Sequence, residues 1–340
     1  MDSKTMQAIV FHGAVEPVAL RAETVPDPVA GAGEVVVRLR AAALNHRDVF
    51  ICRGQYAGLR FPAILGADGA GEVAALGSGV SRFRVGDPVI INPCLDWGDD
   101  QRVAGPAFRI LGMPDDGTFA ELVRVPAGNV FPMSAGLTAE AAAALPLAGL
   151  TAYRALVSRG ELQGGERVLI TGIGGGVATL ALVMARALGA RVFVTSGSDE
   201  KLRRALELGA EGAANYRTQD WVGEIRKATG GGPDLIIDGV GGATFEQALD
   251  VARPGGRVVS YGATAGNTPQ VTVRRIFWKQ LSVLGTTMGS PADFAGMLRL
   301  VADHAIQPVI DKVYQLAEAG VALERLERAE QFGKIVLRIG

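Results

Sequence analysis

The residues with the plainest chemical purpose lie in one run, Val168-Leu169-Ile170-Thr171-Gly172-Ile173-Gly174-Gly175-Gly176-Val177-Ala178, where an apolar strand leads through a glycine loop into a helix over 179–188. Glycines let a backbone turn tightly and lie against a bound group, and the unpaired amides of a helix start attract negative charge. The pattern therefore suits a pyrophosphate. Gly172, Gly174, Gly175, Gly176 and Val177 are the candidate contacts. The spacing is Gly172-x-x-Gly175-x-x-Ala178, and alanine satisfies the last position, where the need is close helix–strand packing. An ordinary strand-to-helix turn would use the same residues, so the elements around the loop have to decide.

From Arg167 onward those elements alternate. Strands are expected at 191–195, 213–216, 234–238, 257–261 and 281–285, and helices at 199–208, 221–229 and 243–252, with Gly209 stopping the first of these. Strands alternating with helices predict a doubly wound parallel sheet with right-handed crossovers, an α/β cofactor domain. Residues 1–134 read differently, as short β-branched or alternating runs such as Glu34-Val35-Val36-Val37-Arg38-Leu39, separated by Gly and Pro. At Thr138 the texture turns helical, with a helix over 139–145 ending near Pro146 and a second over 151–158. Helices over 292–304 and 319–331 and a last strand over 334–339 look like completion of the first domain. The expected division is thus 1–134 with 286–340, and an inserted cofactor domain over 135–285.

Composition narrows the function. The 340 residues carry 34 basic and 35 acidic side chains, so no basic field is available to hold nucleic acid or an anionic membrane non-specifically. Cys52 and Cys94 are the only cysteines and form no C-x-x-C pair, which argues against a disulfide framework and a structural zinc cluster. The start, Met1 to Gln7, lacks the plan of a signal peptide, and no segment holds the roughly 18 unbroken apolar residues of a membrane span. The expectation is a cytoplasmic enzyme whose partner is a small molecule.

Seven segments in order resemble the medium-chain dehydrogenase/reductase superfamily, and within it the zinc-independent quinone oxidoreductase-like branch. They are residues 45–54 (Asn-His-Arg-Asp-Val-Phe-Ile-Cys-Arg-Gly), 62–73, Val85-Gly86-Asp87-Pro88-Val89, Gly117-Thr118-Phe119-Ala120-Glu121, Leu150-Thr151-Ala152-Tyr153, the glycine loop, and Gly333-Lys334-Ile335-Val336-Leu337. The resemblance implies a GroES-like β-rich catalytic domain beside a Rossmann-type cofactor domain. It also implies that the positions at which zinc-dependent relatives carry their catalytic ligands are here Asn45, Ala67 and Leu147. Two of these cannot ligate zinc, and the region 92–112, where a second zinc would need four cysteines, offers only Cys94. No metal is expected.

Without zinc a substrate oxygen must be polarised by hydrogen bonds, which suits reduction of a quinone or an α,β-unsaturated carbonyl better than oxidation of a plain alcohol. The resemblance puts Asn45 and Tyr56 near the substrate, Asp48 where it orients them or the nicotinamide ribose, and Thr151 against the nicotinamide. Each has a blander use: Asp48 as a helix cap, Asn45 closing its own turn, Tyr56 as rim packing. Two other functions stay open, an alcohol or aldehyde dehydrogenase and a non-catalytic NADPH-binding protein.

The dinucleotide is read at the end of the second strand, where NAD enzymes of this fold place a carboxylate. Here the residues are Thr195-Ser196-Gly197-Ser198, followed by Lys201. Ser196, Ser198 and Lys201 suit a 2′-phosphate, so NADPH is expected ahead of NADH. The alternative is that Asp199 reaches back to the ribose and Lys201 is a solvated helix residue. By resemblance Tyr216 lies near the adenosine phosphate and Lys334 approaches the cofactor, the alternative for Lys334 being a solvated strand end. Val240, Tyr261 and Gly262 follow strands at whose carboxyl ends such a cofactor lies. Relatives dimerise by pairing the edge strand at 281–288, so a homodimer is expected, which would also cover that edge.

Overall fold

The computed structural model describes residues 4–13, 20–218, 220–267 and 270–340. The chain divides into two compact units, one of residues 1–148, 290–298 and 307–340, the other of 149–289 and 299–306. The unit that holds the glycine loop begins at 149, fourteen residues beyond the expected 135, because the helix Ala139–Ala143 buries Ala141, Ala142 and Ala143 with the first unit.

The first unit is built on a sheet whose central strand, Glu34–Ala43, pairs antiparallel with Asp68–Leu76 on one side and Lys334–Arg338 on the other. Beyond these the order continues through Pro88–Ile91 to Val130–Pro132, and through Ile310–Gln315 at the opposite edge; Leu122–Pro126 also pairs with the central strand. In the central strand Arg38 and Arg40 point to solvent while Val37, Leu39 and Ala41 are buried, the period of two that the sequence carries. Because both neighbours run antiparallel to it, the carboxyl end of Glu34–Ala43 lies beside the amino ends of Asp68–Leu76 and Lys334–Arg338. Ala43 stands opposite Asp68 on one side and Val336 on the other. That corner, made from three distant parts of the chain, carries the polar cluster described below.

The second unit is a parallel sheet, in the order Gly212–Asn215, Arg191–Ser196, Arg167–Ile170, Leu235–Asp238, Arg257–Ser260, Ser282–Gly285. This is the doubly wound order in which the first strand, Arg167–Ile170, sits where the winding reverses, and ligands of such sheets bind outside the carboxyl ends at that point. Leu169, Phe193, Ile236 and Val258 form the centre of its core against Ala248, Leu249 and Ile225 from the crossing helices. The helices and strands expected from 167 to 285 are all present within a few residues, together with one not foreseen, Val273–Lys279. The first unit likewise adds the unforeseen strand Ile310–Gln315. Among the described residues, no helix is long and apolar enough to cross a membrane.

Candidate active site

At the corner of the first unit the chain leaves the central strand through Leu44 and enters the short helix His46–Cys52, with Asn45 as its N-cap in extended conformation. Asp48 in the first turn accepts a 2.8 Å hydrogen bond from the Asn45 backbone N–H, so the carboxylate satisfies a donor that the helix start leaves over. Asp48 is fully buried and its Oδ1 has no hydrogen-bond partner in the structure. Burial pushes its carboxyl up to about 6, against the pull of Arg47 and Lys334.

The Asn45 side chain meets two charged groups. Lys334 Nζ donates to Asn45 Oδ1 at 2.7 Å, to the Leu44 carbonyl at 2.7 Å and to Asp68 Oδ2 at 2.8 Å. Asn45 Nδ2 in turn donates to Asp68 Oδ2 at 2.9 Å. An ammonium can only donate and a carboxylate only accept, so this pair of neighbours fixes which end of the carboxamide is oxygen and which is nitrogen. The other Asp68 oxygen accepts from the Leu147 N–H at 2.8 Å. Residues 45 and 147, two of the three positions that the resemblance matches to zinc ligands, are therefore tied together through one carboxylate. Lys334 and Asp68 are 3% and 0% exposed in their side chains, so the ion pair is screened little by solvent.

This donor set does not fit a catalytic zinc. Ala67 offers a methyl group, Leu147 only its backbone, and an ammonium is already hydrogen-bonded to the side chain of residue 45. Among the described residues, no three His, Cys, Asp or Glu side chains gather as a metal site. The lobe that would hold a second zinc is closed by other means. The hairpin Cys94–Leu95 with Arg109–Ile110 encloses Trp97, whose ring packs edge-on against Phe108 at 5.6 Å, while Arg109 pairs with Asp96 and Asp115.

Tyr56 and Arg47 form a second layer. The Arg47 guanidinium lies 5.0 Å from the Tyr56 ring centre and its Nε donates to the Tyr56 hydroxyl at 3.3 Å. Nη1 of the same arginine donates to the Leu111 carbonyl at 2.8 Å, so buried Arg47 staples the loop at 111–113 to the helix. His46 is held below its ordinary value by burial and by Arg53, which keeps its imidazole neutral.

In the second unit the glycine loop has the backbone its sequence requires. Gly172 has φ +65° and Gly174 φ +127°, conformations that L side chains rarely adopt. A Cβ on Gly172 would stand 2.7 Å from a Val240 methyl, so close packing demands glycine there as well. Gly175 is the N-cap of the helix Gly176–Ala187, and with no side chain it leaves the first amides, of Gly176, Val177 and Ala178, to an anion. Ala178 is buried against the sheet as the motif requires. Thr171, just before the loop, donates to buried Asp238 at 2.6 Å; burial pushes that carboxyl up, against this bond and the Gly241 and Val240 amides. Tyr261 packs against Gly239, its hydroxyl pushed up by burial and by Asp238; Gly262 follows it. Thr151 is buried in the helix Pro146–Tyr153.

The second strand ends in Ser196, whose Oγ accepts from the Ser198 N–H at 3.2 Å, while Ser198 Oγ caps the next helix through the Lys201 N–H at 3.4 Å. The Lys201 side chain folds back over the loop, its Nζ 3.3 Å from where a Cβ on Gly174 would stand. Asp199 turns instead to Asn215, whose Nδ2 donates to it at 2.6 Å. Half-exposed Tyr216 and its neighbour Arg217 both lie over Gly197, where a Cβ would stand 2.9 Å from the Tyr216 ring and 2.7 Å from Arg217 Nε. The end of this strand thus gathers Ser196, Ser198, Tyr216 and Arg217, with Lys201 over the loop. Arg217 is the member that reading the sequence missed; its signal was a cation directly after Tyr216 at the end of the third strand.

Comparison with known proteins adds independent findings. Residues 31–135 match the alcohol dehydrogenase GroES-like domain, and residues 176–303 match the zinc-binding dehydrogenase family. The chain is 37% identical to the zinc-type alcohol dehydrogenase-like protein YogA of Leptosphaeria maculans, over 94% of each chain. It is 33% identical to a quinone oxidoreductase of Pseudomonas aeruginosa, over 90% of this chain and 91% of that one. The crystal structure of an NAD-dependent alcohol dehydrogenase superposes with a TM-score of 0.94 at 40% identity, covering 98% of this chain and 100% of the other.

Proposed function

The chain belongs to the medium-chain dehydrogenase/reductase superfamily, and from that premise we propose that it reduces a quinone or an α,β-unsaturated carbonyl with NADPH and without a metal. That it is an oxidoreductase follows from the family; the substrate class, the nucleotide and the metal independence are our reading. The observation that carries it is the Asn45 carboxamide, held by Lys334 and Asp68 at a position where zinc-dependent relatives place a ligand.

NADPH, when bound, would supply a hydride to the substrate carbon. As it arrives, negative charge gathers on the substrate oxygen, and a donor already in place stabilises that charge without reorganisation. Asn45 has two N–H bonds and gives one to Asp68, so the second is the donor we assign to the substrate oxygen, with the Tyr56 hydroxyl beside Arg47 as a further one. Asp48, fully buried, orients Asn45 through the backbone. Gly172, Gly174, Gly175, Gly176 and Val177 would hold the pyrophosphate, and Ser196, Ser198, Lys201, Tyr216 and Arg217 the adenosine 2′-phosphate. Thr151, Val240, Tyr261 and Gly262 would line the nicotinamide half. Lys334 has its three N–H bonds on protein oxygens, so we assign it to Asn45 ahead of the cofactor.

The test is oxidation of NADPH and of NADH with a panel of quinones, enones and aldehydes. The expected result is turnover with quinones or enones, and a preference for NADPH. The solved alcohol dehydrogenase favours a second reading, NAD-dependent oxidation of an alcohol, and the same assay run backwards with simple alcohols decides between them. Faster alcohol oxidation with NAD than carbonyl reduction with NADPH would overturn our reading.

We also propose that the edge strand Ser282–Gly285 pairs with a second copy of the chain. The helix leading into it, Val273–Lys279, exposes Phe277 (62%) and Trp278 (73%), large apolar side chains beside an unpaired sheet edge. Sedimentation should find a dimer, and Trp278→Arg a shift toward monomer.

A further inference from the structure

We infer that Lys334 is a positioning residue that works through Asn45. With Asp68 it holds the Asn45 carboxamide in one orientation, nitrogen outward as donor, and strengthens that donor by polarising the amide. The inference rests on the functional reading above for its catalytic part and on geometry alone for the rest.

All three Lys334 N–H bonds end on oxygens of the first unit, the Leu44 carbonyl, Asn45 Oδ1 and Asp68 Oδ2, at 2.7 to 2.8 Å. With no N–H left over and 3% of its side chain exposed, the ammonium is no direct donor to a substrate; its effect has to pass through what it touches. A hydrogen bond accepted by an amide oxygen draws charge from the nitrogen and makes the N–H a stronger donor, and in a buried network such bonds reinforce one another. Remove the ammonium and Oδ1 loses its charged partner, which leaves the Asp68 carboxylate alone to hold the carboxamide by its nitrogen and takes away the polarisation of the amide. Where the amide then turns over, its oxygen faces the charge that develops on the substrate. A buried ion pair is also a poor way to gain stability compared with apolar side chains of similar size, so its worth here lies in the orientation it enforces.

A double-mutant cycle tests this. Lys334→Met should lower kcat about 100-fold, the loss typical of one oxyanion donor, while KM and the Kd for NADPH change less than about threefold. In an Asn45→Ala background the same substitution should cost less than about threefold further, because its route is already gone. Costs that multiply, or a loss carried by NADPH affinity, would overturn the inference. Should Asp68 left alone prevent folding, Lys334→Met with Asp68→Asn removes both charges at once and enters the cycle in place of the single variant. One readout does not depend on turnover. Asn45 is one of five asparagines, so its carboxamide can be followed by NMR in protein labelled with ¹⁵N-asparagine. Its N–H signals should move in Lys334→Met, and unmoved signals would refute the lock. If the unaltered enzyme reduces no quinone or enone, the functional reading falls and the NMR comparison alone decides the lock.

Discussion

Replacing Asp48 by asparagine should make the protein more stable, and by an amount that depends on pH. In the folded chain the Asp48 carboxyl is pushed up to about 6 by complete burial, against an ordinary value of 3.8. A carboxyl raised on folding binds its proton more tightly in the native state, so its contribution is best at low pH and is lost as pH rises from 3.8 through about 6. The full loss is about 3 kcal/mol, taking about 1.4 kcal/mol for each pH unit between the two values. Asparagine mimics the neutral form and can still accept the bond from the Asn45 N–H, so it escapes the charge penalty, at a smaller and pH-independent cost of about 1 kcal/mol for an amide placed where Oδ1 has no partner. Integrated over the titration, the penalty that Asp48→Asn removes is about 1.5 kcal/mol at pH 5 and about 3 kcal/mol at pH 7.5, so the net gain rises by about 1.5 kcal/mol between them. Urea unfolding of both proteins at the two pH values measures it. A variant no more stable than the parent at pH 7.5, or a gain equal at both pH values, would refute the burial argument. A residue whose charge costs this much adds little to stability, which supports our proposal that Asp48 serves the site through the Asn45 backbone.

Metal content and chelation give a second prediction: purified protein should carry no stoichiometric zinc, and NADPH-dependent turnover should survive a chelator, whereas loss of activity restored by zinc would contradict the donor set at Asn45, Ala67 and Leu147. Lys201→Ala and Arg217→Ala should each weaken NADPH binding about tenfold, the scale of one charge-assisted hydrogen bond, and leave NADH nearly unchanged. Fluorescence titration with both nucleotides checks this, and equal losses for the two would remove these side chains from the 2′-phosphate. Gly197→Val should impair binding of NADPH more than of NADH, because a side chain there collides with Tyr216 and Arg217. Unchanged affinities in that variant would show that neither residue is held in place for the cofactor.

Much of the second unit was legible because its signals are local. A strand of Val, Leu and Ile, a loop of glycines and a helix with one apolar face announce themselves within a dozen residues, and the alternation from 167 to 285 follows from repetition of that pattern. The unforeseen helix Val273–Lys279 shows the limit. Its Ile-Phe-Trp run is a poor helix former, and Val273, Phe277 and Trp278 face solvent while only Ile276 packs on the core, so neither propensity nor burial pattern marked it. Ile310–Gln315 hid for a similar reason, with only Tyr314 of its six residues fully buried. The polar corner was legible only in its members. Asn45, Asp48 and Lys334 could be picked out one at a time, but the bond between Lys334 and Asn45 spans 289 residues of sequence. It exists because two strands run antiparallel to a third, and strand register is a property of the sheet and not of any segment. Asp68 was missed outright: in the sequence it is one acidic residue at a strand start, and its importance lies wholly in what arrives beside it.

The two places that the resemblance matches to metal positions of zinc-dependent relatives are held by different physics, and on our proposal the difference bears on which one serves the chemistry. The lobe at 94–110 needs only to keep its shape. Its ion pairs, Arg109 with Asp96 and Asp115, have more than a third of each side chain in solvent, where such pairs add little. The holding there falls to Trp97, which is 3% exposed and packed on Phe108, a solution that any small hydrophobic core could reach. At the corner of the sheet an apolar repair of the same kind was equally available, since Ala67 and Leu147 already stand at two of the three positions. Instead a charge pair sits there almost out of contact with water, satisfied on every ammonium hydrogen and bonded to both ends of one carboxamide. Packing alone would not select that arrangement, because desolvating two charges costs several kcal/mol that an apolar pair does not incur. A requirement for a directed donor would select it. On our proposal this position works without a metal, and the amide that the cation orients is the group we assign to the substrate oxygen in its place.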